Sequence, residues 1–188
     1  MKHLFYLLFL CMTLILFSND IPVPENNYLY TDFTFERTSP FLKKPVTGSG
    51  RILMDGKNHF IFKQIKPVLI TIKKISGEIS FQKGDAKPIT INAMSDDMDN
   101  GNIAILFSGD SARISELFKL THSTIQGKDY FELIPRESML SLKTIQIIHI
   151  VSKADKIENI KIEYKNKSTI TYSFFNAVTG IKPDEKNF

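Results

Sequence analysis

The chain has one cysteine, Cys11, which excludes an intramolecular disulfide, a CxxC zinc motif and a thioredoxin-like redox pair. It has four histidines, one of them at position 3; His59, His122 and His149 fall on separate expected strands without HxH or HExxH spacing, so no metal site is expected. Nine glycines and eight prolines in 188 residues are too few for a low-complexity chain. Basic and acidic side chains, 24 against 20, are too balanced for wholesale disorder. A formal charge of +4, falling to +3 without Lys2, is too small and too scattered to mark a nucleic-acid surface. No GxSxG elbow, P-loop or GxGxxG is present. Gly48-Ser49-Gly50 has the wrong frame for an elbow and precedes a strand, and Ser108-Gly109-Asp110-Ser111 reads as a helix junction. No acid–base pair converges, so no catalytic residue is assigned, the chain reads as a non-enzyme, and no cofactor is expected.

Asp96-Asp97-Met98-Asp99-Asn100-Gly101 has a superficial likeness to a calcium loop. Aligning Gly101 with the turn glycine puts Met98 at a ligand position and Phe107 where the bidentate Glu belongs, so an acidic solvated loop is the better reading. Its charge would favour the start of a following helix. Lysines at 43–44, 63, 66 and 73–74 are spread over turns and outer strand faces, where they serve solubility or attract anionic head groups or an acidic partner.

The chain opens with Met1-Lys2-His3 and an apolar run from Leu4 to Phe17, then Ser18-Asn19-Asp20. Basic start, apolar core and polar exit describe a secretory signal over residues 1–18, and the run is shorter than the ~20 residues of a comfortable bilayer span. Leu16 and Ser18 make a poor cleavage site, so an uncleaved inner-membrane anchor is the alternative. Cys11 has Leu10 before it and apolar residues behind it, and is read as part of the leader rather than as a lipidation site. Residues 19–188 are expected to form one domain, large enough to bury a core without a staple.

After the leader the dominant period is two. Phe33/Phe35, Ile52/Met54, Val68/Ile70/Ile72, Ile79/Phe81, Ile160/Ile162/Tyr164 and Ile170/Tyr172/Phe174 alternate with mostly polar residues, Leu53 being an exception. Phe131 and Leu133 lead into Pro135, and Ile145 to Val151 adds a further strand. Turns are signalled at Asp55-Gly56-Lys57-Asn58, Ser76-Gly77, Lys83-Gly84-Asp85 and Lys165-Asn166-Lys167, and Pro67 sits between two strand runs, where a strand's first residue tolerates a missing amide. Between Met94 and Phe118 the period moves toward 3.6: Ile103, Leu106 and Phe107, then Ile114, Leu117 and Phe118, share i, i+3, i+4 spacing. Gly109 ends the first short helix, and Asp110 or Ser111 caps the second. Helices of about two turns are unstable alone and must lie on something; the concave face of a curved antiparallel sheet is available.

The segment Gly50–Pro67, with its glycine, strand, turn, Phe60-Ile61-Phe62 and proline, resembles the LolA family of periplasmic lipoprotein carriers. Phe33-Thr34-Phe35-Glu36-Arg37 stands where that family has its first strand, and Phe107-Ser108-Gly109-Asp110, Leu117-Phe118 and Phe131-Glu132-Leu133-Ile134-Pro135 resemble its later motifs in order and spacing. The strands at Ile160-Lys161-Ile162 and Tyr172-Ser173-Phe174 complete the likeness. Three features depart from the family: two prolines in Ile21–Tyr30 leave no room for an N-terminal helix, Gly56 and Lys57 stand where many members carry a lid-closing arginine, and the chain stops at Phe188.

The resemblance implies a mainly β (α+β) fold, an incomplete barrel roofed by short helices over an apolar cavity. It also implies a non-catalytic carrier that takes lipoprotein acyl chains through the periplasm to the outer membrane. Its partners would be acylated lipoproteins, an inner-membrane ABC-type lipoprotein release complex and an outer-membrane acceptor if present; no nucleic acid is expected, and the carrier would be a monomer. Phe60, Phe62, Ile70, Ile72 and Phe81 would line the sheet side, with Ile103, Leu106, Phe107, Leu117 and Phe118 on the lid side. By the residues alone, these side chains equally suit a filled core. That alternative is a periplasmic scaffold or interaction domain; another is an outer-membrane acceptor of similar fold, acylated at Cys11.

Overall fold

Two-residue alternation produces strands wherever one face of a segment can be dried and the other left wet. The computed structural model describes residues 28–55, 59–76, 78–91, 111–136, 144–153 and 156–180. Strands β1 (Tyr28–Thr38), β2 (Val46–Asp55), β3 (His59–Lys66), β4 (Ile70–Ile75), β5 (Glu78–Lys83) and β6 (Ile89–Ile91) come first. Helix α1 (Ser111–Leu117) follows, then β7 (Phe118–Ile125), β8 (Lys128–Pro135), β9 (Ile145–Lys153), β10 (Lys156–Tyr164) and β11 (Thr169–Thr179). All eleven strands form one sheet in the order β6-β5-β4-β3-β2-β1-β11-β10-β9-β8-β7, every pair antiparallel. Among the described residues strands β6 and β7 are its edges, so the barrel is incomplete.

The sheet is two local meanders joined at their outer ends in sequence. First strand β1 pairs with last strand β11, from Leu29 opposite Thr179 to Thr38 opposite Thr169. A bulge interrupts this ladder between Tyr30 and Asp32. There the buried Thr31 hydroxyl donates to the Phe175 carbonyl at 3.0 Å, and Asn176, at φ 56°, donates its amide to Asp32 at 3.2 Å.

Several boundaries differ from expectation. Val68 and Leu69 lie in the β3–β4 turn rather than in a strand, 43% and 38% exposed; Pro67 stands between the two strands as expected, in the turn. Strand β4 begins only at Ile70, which pairs with Gln64 and Lys83. Phe118 is the first residue of β7, opposite Pro135, and not the last turn of a helix; its side chain joins the core along the strand's own alternation with Leu120. The second expected helix is α1, seven residues beginning at Ser111, with Ile114 and Leu117 in the core. The first expected helix, its Gly109 end and the 96–101 loop lie outside the described residues, as do the leader and Gly56-Lys57. Leu53 stays an exception: it and Ile61, its cross-strand partner, are buried on the face opposite Ile52 and Phe62.

Candidate functional site

The pairing register arranges the core face into rows that run across strands. One row reads Thr31, Ile52, Phe62, Ile72, Phe81, Ile89 from β1 to β6. The next contains Met54, Phe60, Lys74 and Ile79. On the other side of β1, Tyr172, Ile160, Ile150, Phe131 and His122 form one row, and Ile170, Ile162, Ile148, Leu133 and Leu120 another. Only His122 and Lys74 interrupt these apolar rows with a charge-bearing group.

The residues expected to line the sheet side therefore come together. Phe60, Phe62 and Ile72 are 2%, 3% and 1% exposed, and Ile70 and Phe81 pack half-buried against the same cluster. Leu117 joins from α1 and Phe118 from β7, so Phe118 reaches the cluster as a sheet residue rather than a lid residue. Ile103, Leu106 and Phe107 lie outside the described residues.

The sequence reading left out half of this surface. Phe33, Phe35, Tyr172, Ile160, Ile150, Phe131 and Leu133 belong to the same cluster. Phe33 and Phe35 reach Phe62 across the β1–β2–β3 hairpins, whereas the β8–β11 residues are brought to that side only by the β1–β11 pairing. Phe33 stacks on Phe62 with centroids 4.9 Å apart and an 18° tilt, and Tyr172 meets Phe33 and Phe62 edge-on at 5.6 and 6.3 Å. Offset and edge-on rings at these separations attract beyond their area alone.

Gly48 and Gly50 make this packing possible. A β-carbon on Gly50 would collide with the Phe33 ring and the Lys63 carbonyl oxygen, and one on Gly48 with the Phe35 ring and the Lys66 carbonyl oxygen. Each aromatic on β1 thus lies flat over the glycine paired with it on β2. Gly48-Ser49-Gly50 is an aromatic seat.

Apart from His122, the described histidines lie off these rows. Each of the three described histidines meets a carboxylate: His59 with Asp55 at 3.7 Å, His122 with Asp129 at 3.0 Å, and His149 with Glu132 and Glu163 at 3.4 and 3.6 Å. Among the described residues no group of three or more His, Cys, Asp or Glu is placed to hold a metal ion. His122 also stacks on Phe131 at 4.5 Å, and its buried Nδ1 has no hydrogen-bond partner. Tyr30 donates its hydroxyl to Asp32 at 2.8 Å, and burial first, then that carboxylate, raise its pKa. A depression of about 610 Å³ over β1, β2 and β11 is lined by Thr34, Thr47, Ser49, Thr171 and Ser173 together with Phe35 of the core cluster; it contains none of the ten residues expected to line the cavity.

Two carboxyl groups are held below their ordinary values. The Thr124 hydroxyl, at 2.7 Å, and then His122 act on Asp129, and the Lys161 ammonium, at 2.7 Å, acts on Glu163. A carboxylate that ionises more readily folded than unfolded stabilises the fold above its unfolded pKa and loses that contribution as pH falls through the lower folded one. The loss therefore lies below about pH 4, the ordinary carboxylate range. Both groups are near the surface, so each contributes less than about 1 kcal/mol. Thermal melts between pH 5 and pH 2 test this: Asp129→Asn and Glu163→Gln should each flatten the acid decline and change the neutral melting temperature little.

The family model for "Outer membrane lipoprotein carrier protein LolA" matches residues 27–188. Among solved structures, a LolA superfamily protein from Nitrosomonas europaea aligns at 10% identity over 94% of this chain and 95% of that one, with a TM-score of 0.48. A DUF1329 family protein from Desulfovibrio piger aligns at 11% identity over 92% and 94%, with a TM-score of 0.52, a likeness of fold. A chain of the Pseudomonas aeruginosa MucA/MucB complex aligns at 11% identity over 88% of this chain and 56% of that one, with a TM-score of 0.46. No curated protein matches the chain by sequence. No helix among the described residues is long and apolar enough to cross a membrane.

Proposed function

The chain belongs to the LolA family, and from that membership we propose that it is a periplasmic carrier sheltering lipoprotein acyl chains between the inner and outer membranes. The observation that carries the reading is one continuous apolar face spanning both halves of an unclosed sheet. Three acyl chains expose surface worth on the order of 30 kcal/mol at roughly 0.8 kcal/mol per methylene, which only a broad apolar surface offsets. Phenylalanine and isoleucine suit that task because dispersion contacts add without directionality, so cargo is held without a lock. A largely nonpolar lining also leaves few polar groups that a departing chain would strand.

In this reading Phe60, Phe62, Ile70, Ile72 and Phe81 contact the chains from the sheet, with Leu117 and Phe118 beside them; Ile103, Leu106 and Phe107 complete the lining. Phe60, Phe62 and Ile72 are closed to solvent, so a chain enters only when apolar contacts over them part. Loading from an inner-membrane ABC-type release complex and delivery to an outer-membrane acceptor follow from the family's role.

A photoreactive residue at Phe62 or Phe118 should cross-link to the acyl chains of a bound lipoprotein. Labelling only at the exposed Lys73 would overturn the placement. A fluorescent fatty-acid probe should bind and be displaced by lipoprotein; no binding would favour a solid-cored scaffold. Mass spectrometry of the mature N-terminus finding acylated Cys11 would instead make the protein an outer-membrane acceptor.

A further inference from the structure

The antiparallel meander places its turns alternately at two ends of the sheet. The β1–β2, β3–β4, β5–β6, β8–β9 and β10–β11 connections share one end. The β8–β9 connection lies largely outside the described residues and by sequence carries Arg136, Glu137 and Lys143. The other four are consecutive tips on this rim along the strand order. Their composition is lopsided. Lys43 and Lys44 come from the first, Lys66 from the second, Lys83 and Lys87 from the third, and Lys165 and Lys167 from the fourth. Asp85 is the only acidic residue in these four turns, taken as residues 39–45, 65–69, 83–88 and 165–168. No ion pair among the described residues involves any of these lysines. By sequence, the turns at the other end mix Lys57, Lys128, Lys153 and Lys156 with Asp55, Glu78, Asp129 and Asp155.

The same rim presents apolar side chains to water. Phe41 is 85% exposed at the β1–β2 tip, beside Leu42 at 41%; Val68 and Leu69 stand out from the next tip. These tips are held by hydrogen bonds. Leu42 N–H donates to the Ser39 carbonyl at 3.0 Å and Phe41 N–H to the Ser39 hydroxyl at 3.3 Å. The Gln64 amide donates to the Val68 carbonyl at 2.9 Å, and Gly84 N–H to the Leu69 carbonyl at 2.8 Å. A hairpin tip that keeps a phenylalanine clear of its own protein, between a turn and two lysines, leaves about the largest apolar side chain available unburied.

We propose that this rim docks on an anionic phospholipid surface, with Phe41 and Leu42 entering the boundary between head groups and acyl chains and the lysines engaging lipid phosphates. Charge complementarity selects the partner: four neighbouring tips with seven lysines and one acid attract a negatively charged layer. The form of the apolar groups separates a bilayer from a protein. They stand in small separate pairs on neighbouring tips, whereas a protein interface concentrates its energy in packed, fully enclosed anchors. A bilayer boundary accepts isolated apolar side chains while lysine stems reach back to the head groups.

The proposal does not depend on what the apolar face of the sheet holds, and its test keeps the two apart. The full chain is floated with vesicles of phosphatidylcholine alone or mixed with phosphatidylglycerol; any contribution of the leader is common to all variants. Wild type should bind the mixed vesicles, and added salt should weaken binding. Phe41→Ser/Leu42→Ser and Lys43→Glu/Lys44→Glu should each lower binding roughly tenfold or more. Their melting temperatures and their binding of a fluorescent fatty-acid probe should match wild type, whether or not wild type binds the probe. No preference for the anionic vesicles, or undiminished binding by the apolar variant, would overturn the proposal. Loss in the lysine variant alone would also overturn it, in favour of an acidic protein surface.

Discussion

Gly50→Ala is expected to destabilise the protein by about 3 kcal/mol or more, although it adds a single methyl group. Two fixed objects meet that methyl: the Phe33 ring and the Lys63 carbonyl oxygen. The carbonyl is part of the β2–β3 backbone, so it retreats only by straining the ladder next to the bulge between Ser49 and Gly50. The ring is fully buried and stacked on Phe62. At roughly 2–4 °C per kcal/mol for a chain of this size, the melting temperature should fall by about 6 °C or more. Gly84→Ala is the control. Gly84 has a φ of +56° and open space where its β-carbon would stand, so only backbone strain of about 1–2 kcal/mol applies. Equal losses in the two variants, read by thermal melts, would refute the aromatic seat.

Phe62→Ala should cost about 3–5 kcal/mol, the range for truncating a buried aromatic. Its ring touches the β1 and β11 aromatics and, through the row, Ile52 and Ile72. The informative measurement is what a fatty acid then does. A ligand that binds only the folded state adds about 2.7 kcal/mol at a hundredfold excess over its Kd. If acyl chains lie along this face, saturating fatty acid should raise the melting temperature of wild type and recover a substantial part of the loss in Phe62→Ala. A variant that loses stability while neither protein responds to ligand would mean that Phe62 is solely packing.

Period-two alternation carried most of the strands into view. Ile160/Ile162 and Ile170/Tyr172 fall on the core face as their spacing requires, and Gly84 turns where Lys83-Gly84-Asp85 signals it. The misses have local causes. Val68 and Leu69 continue the alternation of β4, but Gln64 captures the Val68 carbonyl and turns the chain before the strand starts. Phe118 satisfies a helical spacing and a strand spacing at once, and pairing with β8 decides for the strand. His122 was legible only by register: the Gln126-Gly127 turn sets Thr124 opposite Asp129 and His122 opposite Phe131, making both contacts of the ring. Of the candidate site, the β3–β5 contribution was readable from Phe60, Phe62, Ile72 and Phe81. The β8–β11 contribution was not, because nothing local to either end of a chain says that the two will be neighbours.

That neighbourhood sets the order of assembly. A nascent chain can zip β2 through β6 onto β1 while it is still being made, but the free edge of β1 waits more than 100 residues for its partner, Phe33 for Phe174. The sheet is therefore sealed at its centre by β11, made long after β1, at the entropic cost of closing a long loop. Residues 29 and 179 face each other across that seam, so a circular permutant with a short linker there and new ends between β6 and β7 would turn the fold into one uninterrupted meander. Such a permutant should refold faster than the natural chain order while keeping the same strand neighbours.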